Sequence, residues 1–258
     1  MYYNKLFKMS FRWENLLRTF EKVRQDCPWD KAQTHKTLTK YMLEEAYELV
    51  DAIEKNDKNA IKEELGDVLL QVIFHSQIAR ENGDFDIDDV LELLTKKLIE
   101  RHPHVFGNEK PEEVLENWEY TKAKNREYFL DGIPKSMCAL MRCQKIQDRM
   151  SKVGFDFENI DQVKEKLKEE FEELDAAIQG GNIRDIEHEF GDILIAIVEY
   201  GRFLGIDAER ALQKANDRMI KRFNFVEQNL KDKGKTLKEA TLEEMDGYWK
   251  EAKKFDYE

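Results

Sequence analysis

Apolar residues recur every three or four positions along most of the chain, and polar punctuation cuts the pattern into segments of helical length. FRWENLLRTFEKVRQ carries Phe11, Leu16, Leu17, Phe20 and Val23 at that spacing, after a short extension over residues 1–10. The pattern stops at CPWD, where Pro28 turns Cys27 away from helical angles. Asp30 or Thr34 caps the next predicted helix, THKTLTKYMLEEAYELVDAIEK; KNDKN is the turn, and AIKEELGDVLLQVIFHSQIAREN is the third helix. NGDFDIDD breaks the chain, and Asp86 or Asp88 caps VLELLTKKLIER. Pro103 and Gly107 in HPHVFGNEKP end that helix, EEVLENWEYTKAKNREYFL is the fifth, and DGIP (131–134) reads as a linker.

The plan then repeats. MCALMRCQKIQDRMSKV matches the first helix, and GFDF stands where CPWD stood. LKEEFEELDAAI and IEHEFGDILIAIV follow across the turn QGGN, then GIDAERALQKANDRMIKRFNFVEQNL and LEEMDGYWKEAKKF. No stretch alternates with period two. These features predict an all-α protein: a tandem repeat over 1–130 and 135–258, each half a bundle of about four or five helices.

Composition supports that reading. Twelve glycines and four prolines in 258 residues leave room for long helices, and 41% apolar with 37% charged residues suits amphipathic packing rather than disorder. A net charge of −12 gives no overall attraction for nucleic-acid polymers or anionic membranes. Cys27, Cys138 and Cys143 form no CxxC pair, the start MYYNKLFKMS has no secretory apolar stretch, and no apolar run reaches about 18 residues. The expected setting is the cytoplasm.

The repeat sharpens on its acids. Glu44, Glu45, Glu48, Glu64 and Asp67 recur 125 positions later as Glu169, Glu170, Glu173, Glu189 and Asp192, and Gly66 recurs as Gly191. Residues three apart share a helix face, so Glu45/Glu48 and Glu64/Asp67 form two pairs that a short turn brings together. An EExxE motif alone is most often a solvated face. Two paired motifs in one register, within otherwise apolar helices, point instead to a cation site. All-oxygen ligation suits a hard ion, Mg²⁺ or Mn²⁺. A di-iron centre needs Glu-x-x-His, and none of His35, His75, His102, His104 and His188 has Glu three positions before it. Gly66 and Gly191, disfavoured in mid-helix, are expected to admit a close neighbour or ligand.

Basic and aromatic residues follow the acids in each half. Lys97 and Arg101 precede Trp118 and Lys122; Arg218, Lys221 and Arg222 precede Trp249 and Lys253. Such groups suit a nucleoside polyphosphate, cations on phosphate and a ring on the base, although the tryptophans equally fit core positions. Trp29 is either a loop anchor or a base-stacking lid. The competing class is a helical interaction or regulatory module whose acids only tune metal-dependent stability.

EExxE…ExxD on adjacent helices, with CPWDKAQT upstream, KLIERHPHVFG downstream and WxxxK beyond, closely resembles the MazG family of nucleoside triphosphate pyrophosphohydrolases, over nearly the whole chain. The resemblance implies a dimeric enzyme that uses Mg²⁺ to cleave NTPs and dNTPs to monophosphate and pyrophosphate. It implies metal ligands at Glu45, Glu48, Glu64 and Asp67, and at Glu170, Glu173, Glu189 and Asp192. Glu44 and Glu169 become supporting groups or bases for the attacking water. Substrate contacts fall to Lys97, Arg101, Trp118 and Lys122 in the first repeat, and to Lys166, Arg218, Lys221, Arg222, Trp249 and Lys253 in the second. The second repeat is expected to be the stronger catalyst. Dimeric dUTPases and phosphoribosyl-ATP pyrophosphatases are more distant relatives, so a narrower specificity is the alternative within this class.

Overall fold

The computed structural model describes residues 2–108, 110 and 126–255, side chains 2–10 excepted. Among the described residues every regular element is a helix. In the first half these are α1 (Tyr2–Asp26), α2 (Pro28–Lys31), α3 (His35–Glu54), α4 (Lys58–Asn82), α5 (Ile87–Arg101) and α6 (Pro103–Phe106). In the second they are α7 (Ala139–Ser151), α8 (Ile160–Gly180), α9 (Ile183–Phe203), α10 (Ala208–Asp232) and α11 (Leu242–Ala252), followed by a 3₁₀ turn at Lys253–Phe255. Contacts divide the chain into two compact units, 1–114 and 115–258. Asp131 of DGIP packs within the second, its carbonyl accepting from Arg149 Nη1 at 2.9 Å.

Short-range chemistry sets the boundaries, and it does so twice in the same register. Thr34 caps α3 in a reciprocal box with Thr37, and Asn159, 125 positions on, caps α8. The turn from α3 to α4 needs one left-handed residue, Asn56 at φ 54°; glycine, which enters that region without strain, takes the matching place at Gly181 (φ 72°). Asp57 and Asn182 then cap α4 and α9. Each carboxylate hairpin, α3–α4 and α8–α9, is the most intimate helix pair of its unit.

Three local expectations change. The helix starts at Tyr2, because residues 1–10 hold no glycine or proline that would stop α1 from extending backwards. CPWD is itself a helical turn: Pro28 occupies the first position of α2, where its missing N–H costs nothing. Of the two candidate caps, Asp86 begins α5, and Asp89 closes its capping box. Most of the fifth helix expected in the first half, with Trp118 and Lys122, lies outside the described residues.

Phe20, Leu38, Ile73, Phe74 and Ile78 form the core of the first unit, with Trp13, Leu17, Tyr41 and Leu70 packed against it. Trp29 packs edge-on against Tyr41 at 5.6 Å and so anchors its turn. Beneath that turn lies Arg24, only 7% exposed. It donates from Nε and Nη2 to Glu81 (3.1 and 2.9 Å) and from Nη1 to the Asp30 carbonyl. The Arg24 hydrogen bond holds the Glu81 carboxyl below its ordinary range. Its stabilisation is therefore complete above pH 4.5 and lost as pH falls through the depressed value. Replacing Glu81 by alanine leaves a buried cation short of a partner and should cost roughly 1–2 kcal/mol, reduced by solvent around the carboxylate. Urea unfolding at pH 7 measures it, and the difference from wild type should shrink in acid.

Candidate active site

The hairpins converge their acids. In the first unit Glu45, Glu48 and Glu64 each offer a carboxylate oxygen to a group lying within 4.8 Å; in the second, Glu170, Glu173 and Glu189 do the same. Asp67 and Asp192 stand one turn beyond Glu64 and Glu189 on the same helices. Two oxygens on opposite sides of an octahedral Mg²⁺ lie about 4 Å apart, so small side-chain adjustments would let either cluster hold one.

Electrostatics at the two clusters agree with the crowding. Burial, then Asp67, Glu48, Glu64 and Glu44, pushes the Glu45 carboxyl above its ordinary value. Glu64 is raised by burial and then by Glu48 and Asp67, and its Oε2 is buried with no hydrogen-bond partner. Glu173 is raised by burial and then by Glu170, against an opposing pull from Lys166. A shielded carboxylate oxygen without a donor, among other acids, suits cation binding better than it suits a solvated surface.

The two sites differ in their surroundings. Lys166, one turn before Glu170, bridges Glu170 at 2.8 Å and Glu169 at 2.9 Å, and those bonds raise its pKa well above the ordinary value. Glu169 is thereby tied to an ammonium, whereas Glu44 stands exposed on α3. Tyr41 occupies the position of Lys166 in the first unit. His188 Nε2 lies 3.4 Å from Asp192.

Beside the second cluster opens a cavity of about 350 Å³, into which Lys166, Glu170 and Asp192 project from one side. Its remaining walls include Gln147 and Met150 of α7, Phe155 and Phe157 of the GFDF loop, and Ile195, Glu199 and Arg202 of α9. Arg202 Nη2 donates to both Glu199 and Asp156, which pins the loop to α9.

Other expected contacts fall elsewhere. Arg218, Lys221 and Arg222 lie along α10; Arg222 stacks over the Trp249 ring at 5.5 Å, and Lys253 follows at the end of α11. None of these five lines the cavity. Lys97 and Arg101 share α5. A Cβ added at Gly66 or Gly191 would meet nothing within 4 Å, so no neighbouring helix among the described residues crowds them, and the space beside the acids stays open to a ligand. The cavity residues Gln147, Glu199 and Arg202 escaped the reading of repeats, because they mark where the two halves differ, and Phe155 and Phe157 were read only as part of GFDF in the place of CPWD.

An all-α chain carrying two copies of a carboxylate hairpin defines the class of protein. The family described as the MazG nucleotide pyrophosphohydrolase domain matches it twice, over residues 33–106 and 158–226. The chain is 44% identical to the nucleoside triphosphate pyrophosphohydrolase/pyrophosphatase MazG of Thermotoga maritima, over 93% of this chain and 95% of that protein. It is 41% identical to the nucleoside triphosphate pyrophosphohydrolase of Escherichia coli K12, over 93% and 97%. The chain belongs to the MazG nucleotide pyrophosphohydrolase family, a family of hydrolases.

Proposed function

We propose that this protein cleaves nucleoside triphosphates, ribo- and deoxyribo-, between the α and β phosphates, releasing the monophosphate and pyrophosphate. The observation that carries this reading is the pair of carboxylate clusters on matching hairpins, in a chain with pyrophosphohydrolases as full-length relatives. Glu45, Glu48, Glu64 and Asp67, and Glu170, Glu173, Glu189 and Asp192, would hold Mg²⁺, with Mn²⁺ the alternative. A cation there supplies charge neutralisation to the triphosphate and a more acidic attacking water. Glu169, close to the cluster, is the group to take the water's proton once substrate draws Lys166 away; Glu44 is its counterpart. Lys166 lines the cavity and turns from Glu169 and Glu170 toward phosphate oxygens as they enter. Arg218, Lys221, Arg222, Trp249 and Lys253 form a second basic patch suited to the leaving pyrophosphate.

A homodimer accompanies this reading. Leu43, Tyr47, Val50, Ile53, Leu65 and Leu69 of the first hairpin are exposed, and so are Phe171, Ile178, Phe190 and Leu194 of the second. An exposed apolar face on each hairpin calls for a cover, and a second copy supplies one of matching chemistry.

The test incubates the full chain with Mg²⁺ and each NTP and dNTP and resolves the products. Monophosphate and pyrophosphate in equal amounts are expected. Diphosphate with inorganic phosphate would mean β–γ cleavage and overturn the proposal.

A further inference from the structure

The second unit holds a polar group that its fold does not satisfy. Gln147 is 5% exposed and lines the cavity. Its Nε2 donates to the Ile195 carbonyl at 2.9 Å, while its Oε1 is buried without a partner. The amide cannot simply flip, because the Ile195 carbonyl only accepts; the nitrogen must face it and the oxygen must face away. A buried amide oxygen left in this state destabilises the fold, and a well-placed ligand donor would recover that loss. Phe155 and Phe157 flank the space on the loop that Arg202 pins through Asp156. The lining also includes Glu170 and Asp192, the acids assigned to the triphosphate end.

At the matching register positions the first unit is packed. Leu70, Gln71 and Phe74 stand 125 positions before Ile195, Ala196 and Glu199. Phe74 meets Phe20 at 4.9 Å, and Leu70 and Tyr41 pack on that core. Side chains thus fill in one repeat what is cavity in the other.

We propose that this cavity receives the nucleobase and that Gln147 is its specificity-determining residue, Oε1 accepting a hydrogen bond from an N–H on the base edge once a small turn of the side chain brings the shielded oxygen into the cavity, while a phenylalanine ring covers its face. The inference rests on the function proposed above and adds where the base lies and which repeat reads it. An aromatic ring with an N–H donor at its rim matches apolar walls, an acceptor and a cavity of this volume. A sugar or a second phosphate chain would leave Phe155, Phe157, Met150 and Ile195 against polar groups.

The test uses the full chain and paired substrates: ATP against purine riboside triphosphate, which lacks the exocyclic amine, and UTP against N3-methyluridine triphosphate, which lacks the ring N–H. Wild type should favour the parent in at least one pair by about tenfold or more in kcat/KM. Gln147→Leu and Gln147→Met should each bring that ratio to within about twofold, a change in discrimination that mere loosening of the fold would not produce. Equal ratios in wild type and both variants overturn the assignment, as does wild type that ignores both deletions. Ala196→Gln installs the residue of the first unit and should weaken binding of nucleoside monophosphates, read by titration calorimetry, about tenfold or more. Unchanged affinity overturns the pocket. Calorimetry needs no turnover, so wild type that releases no pyrophosphate sinks the proposed function, while monophosphate binding lost in Ala196→Gln still supports the cavity.

Discussion

Asp192→Ala should reduce pyrophosphate release by at least about 10³-fold, some 4 kcal/mol of transition-state stabilisation, whereas Asp67→Ala should leave more than half of it. The two aspartates occupy one register position, 125 residues apart, each one turn beyond a clustered glutamate. Their acids differ little; their surroundings differ greatly. Asp192 lines a cavity with Lys166 beside it and Gln147 and two phenylalanines beyond. The corresponding volume near Asp67 is packed by Phe20, Phe74, Tyr41 and Leu70. A cation held in the first unit would have charge to offer, but Tyr41, Leu70 and Phe74 stand there at the register positions of Lys166, Ile195 and Glu199, which line the cavity of the second. Both aspartates are half-buried helix residues without a backbone role, so neither substitution threatens folding, and cooperative thermal unfolding of each variant checks this. Turnover by each variant over a panel of triphosphates is the deciding measurement. Equal losses would show that the cavity does not set the division of labour.

What could be read in the sequence, and what could not, follows the same division. Helices and the carboxylate hairpin were legible because they repeat: the apolar spacing, the polar turns KNDKN and QGGN and the acids share one register, and the structure adds that Asp57 and Asn182 cap the same turn while Asn56 and Gly181 take the same left-handed angle. Helical spacing alone places Glu45 and Glu48 on one face, and one short turn brings in Glu64. The cavity was illegible for the opposite reason. It arises where Phe74 becomes Glu199, Gln71 becomes Ala196 and Tyr41 becomes Lys166, and a search for agreement passes over such positions. A glutamate within the apolar run IAIVEYGRF was the available signal: buried charge in a helix core calls for a partner, here Arg202. Gly66 and Gly191 were legible as small residues beside the acids, but their spacing does not say whether a helix or a ligand uses the room they leave.

Divalent cation should reverse the pH dependence of stability. In metal-free protein Glu45, Glu64 and Glu173 have carboxyls raised above the ordinary value of 4.5, each by burial first and neighbouring acids second. A raised folded-state pKa means that the native state binds protons more tightly than the unfolded chain. The associated stability is present in full below pH 4.5 and is lost as pH rises through the raised values. With EDTA, the melting temperature should therefore fall over that interval, while Glu81 contributes in the opposite sense at lower pH. Mg²⁺ requires the deprotonated clusters, so its stabilisation grows over the same interval. At a hundredfold excess over the dissociation constant it should reach about 2.7 kcal/mol per occupied site near pH 8. For units of this size that is a rise of several degrees or more in melting temperature. Glu173→Gln should raise the melting temperature in EDTA, by removing one like charge, and should abolish the Mg²⁺ shift of the second unit while sparing that of the first. Lys166 tempers the effect in wild type, since its ammonium already offsets part of the charge on Glu170; the first unit, with Tyr41 in that place, should show the steeper pH dependence. Calorimetric scans at intervals from pH 4 to 8, with EDTA and with Mg²⁺, separate these terms. Parallel curves in the two buffers would mean that the converged carboxylates do not hold the ion.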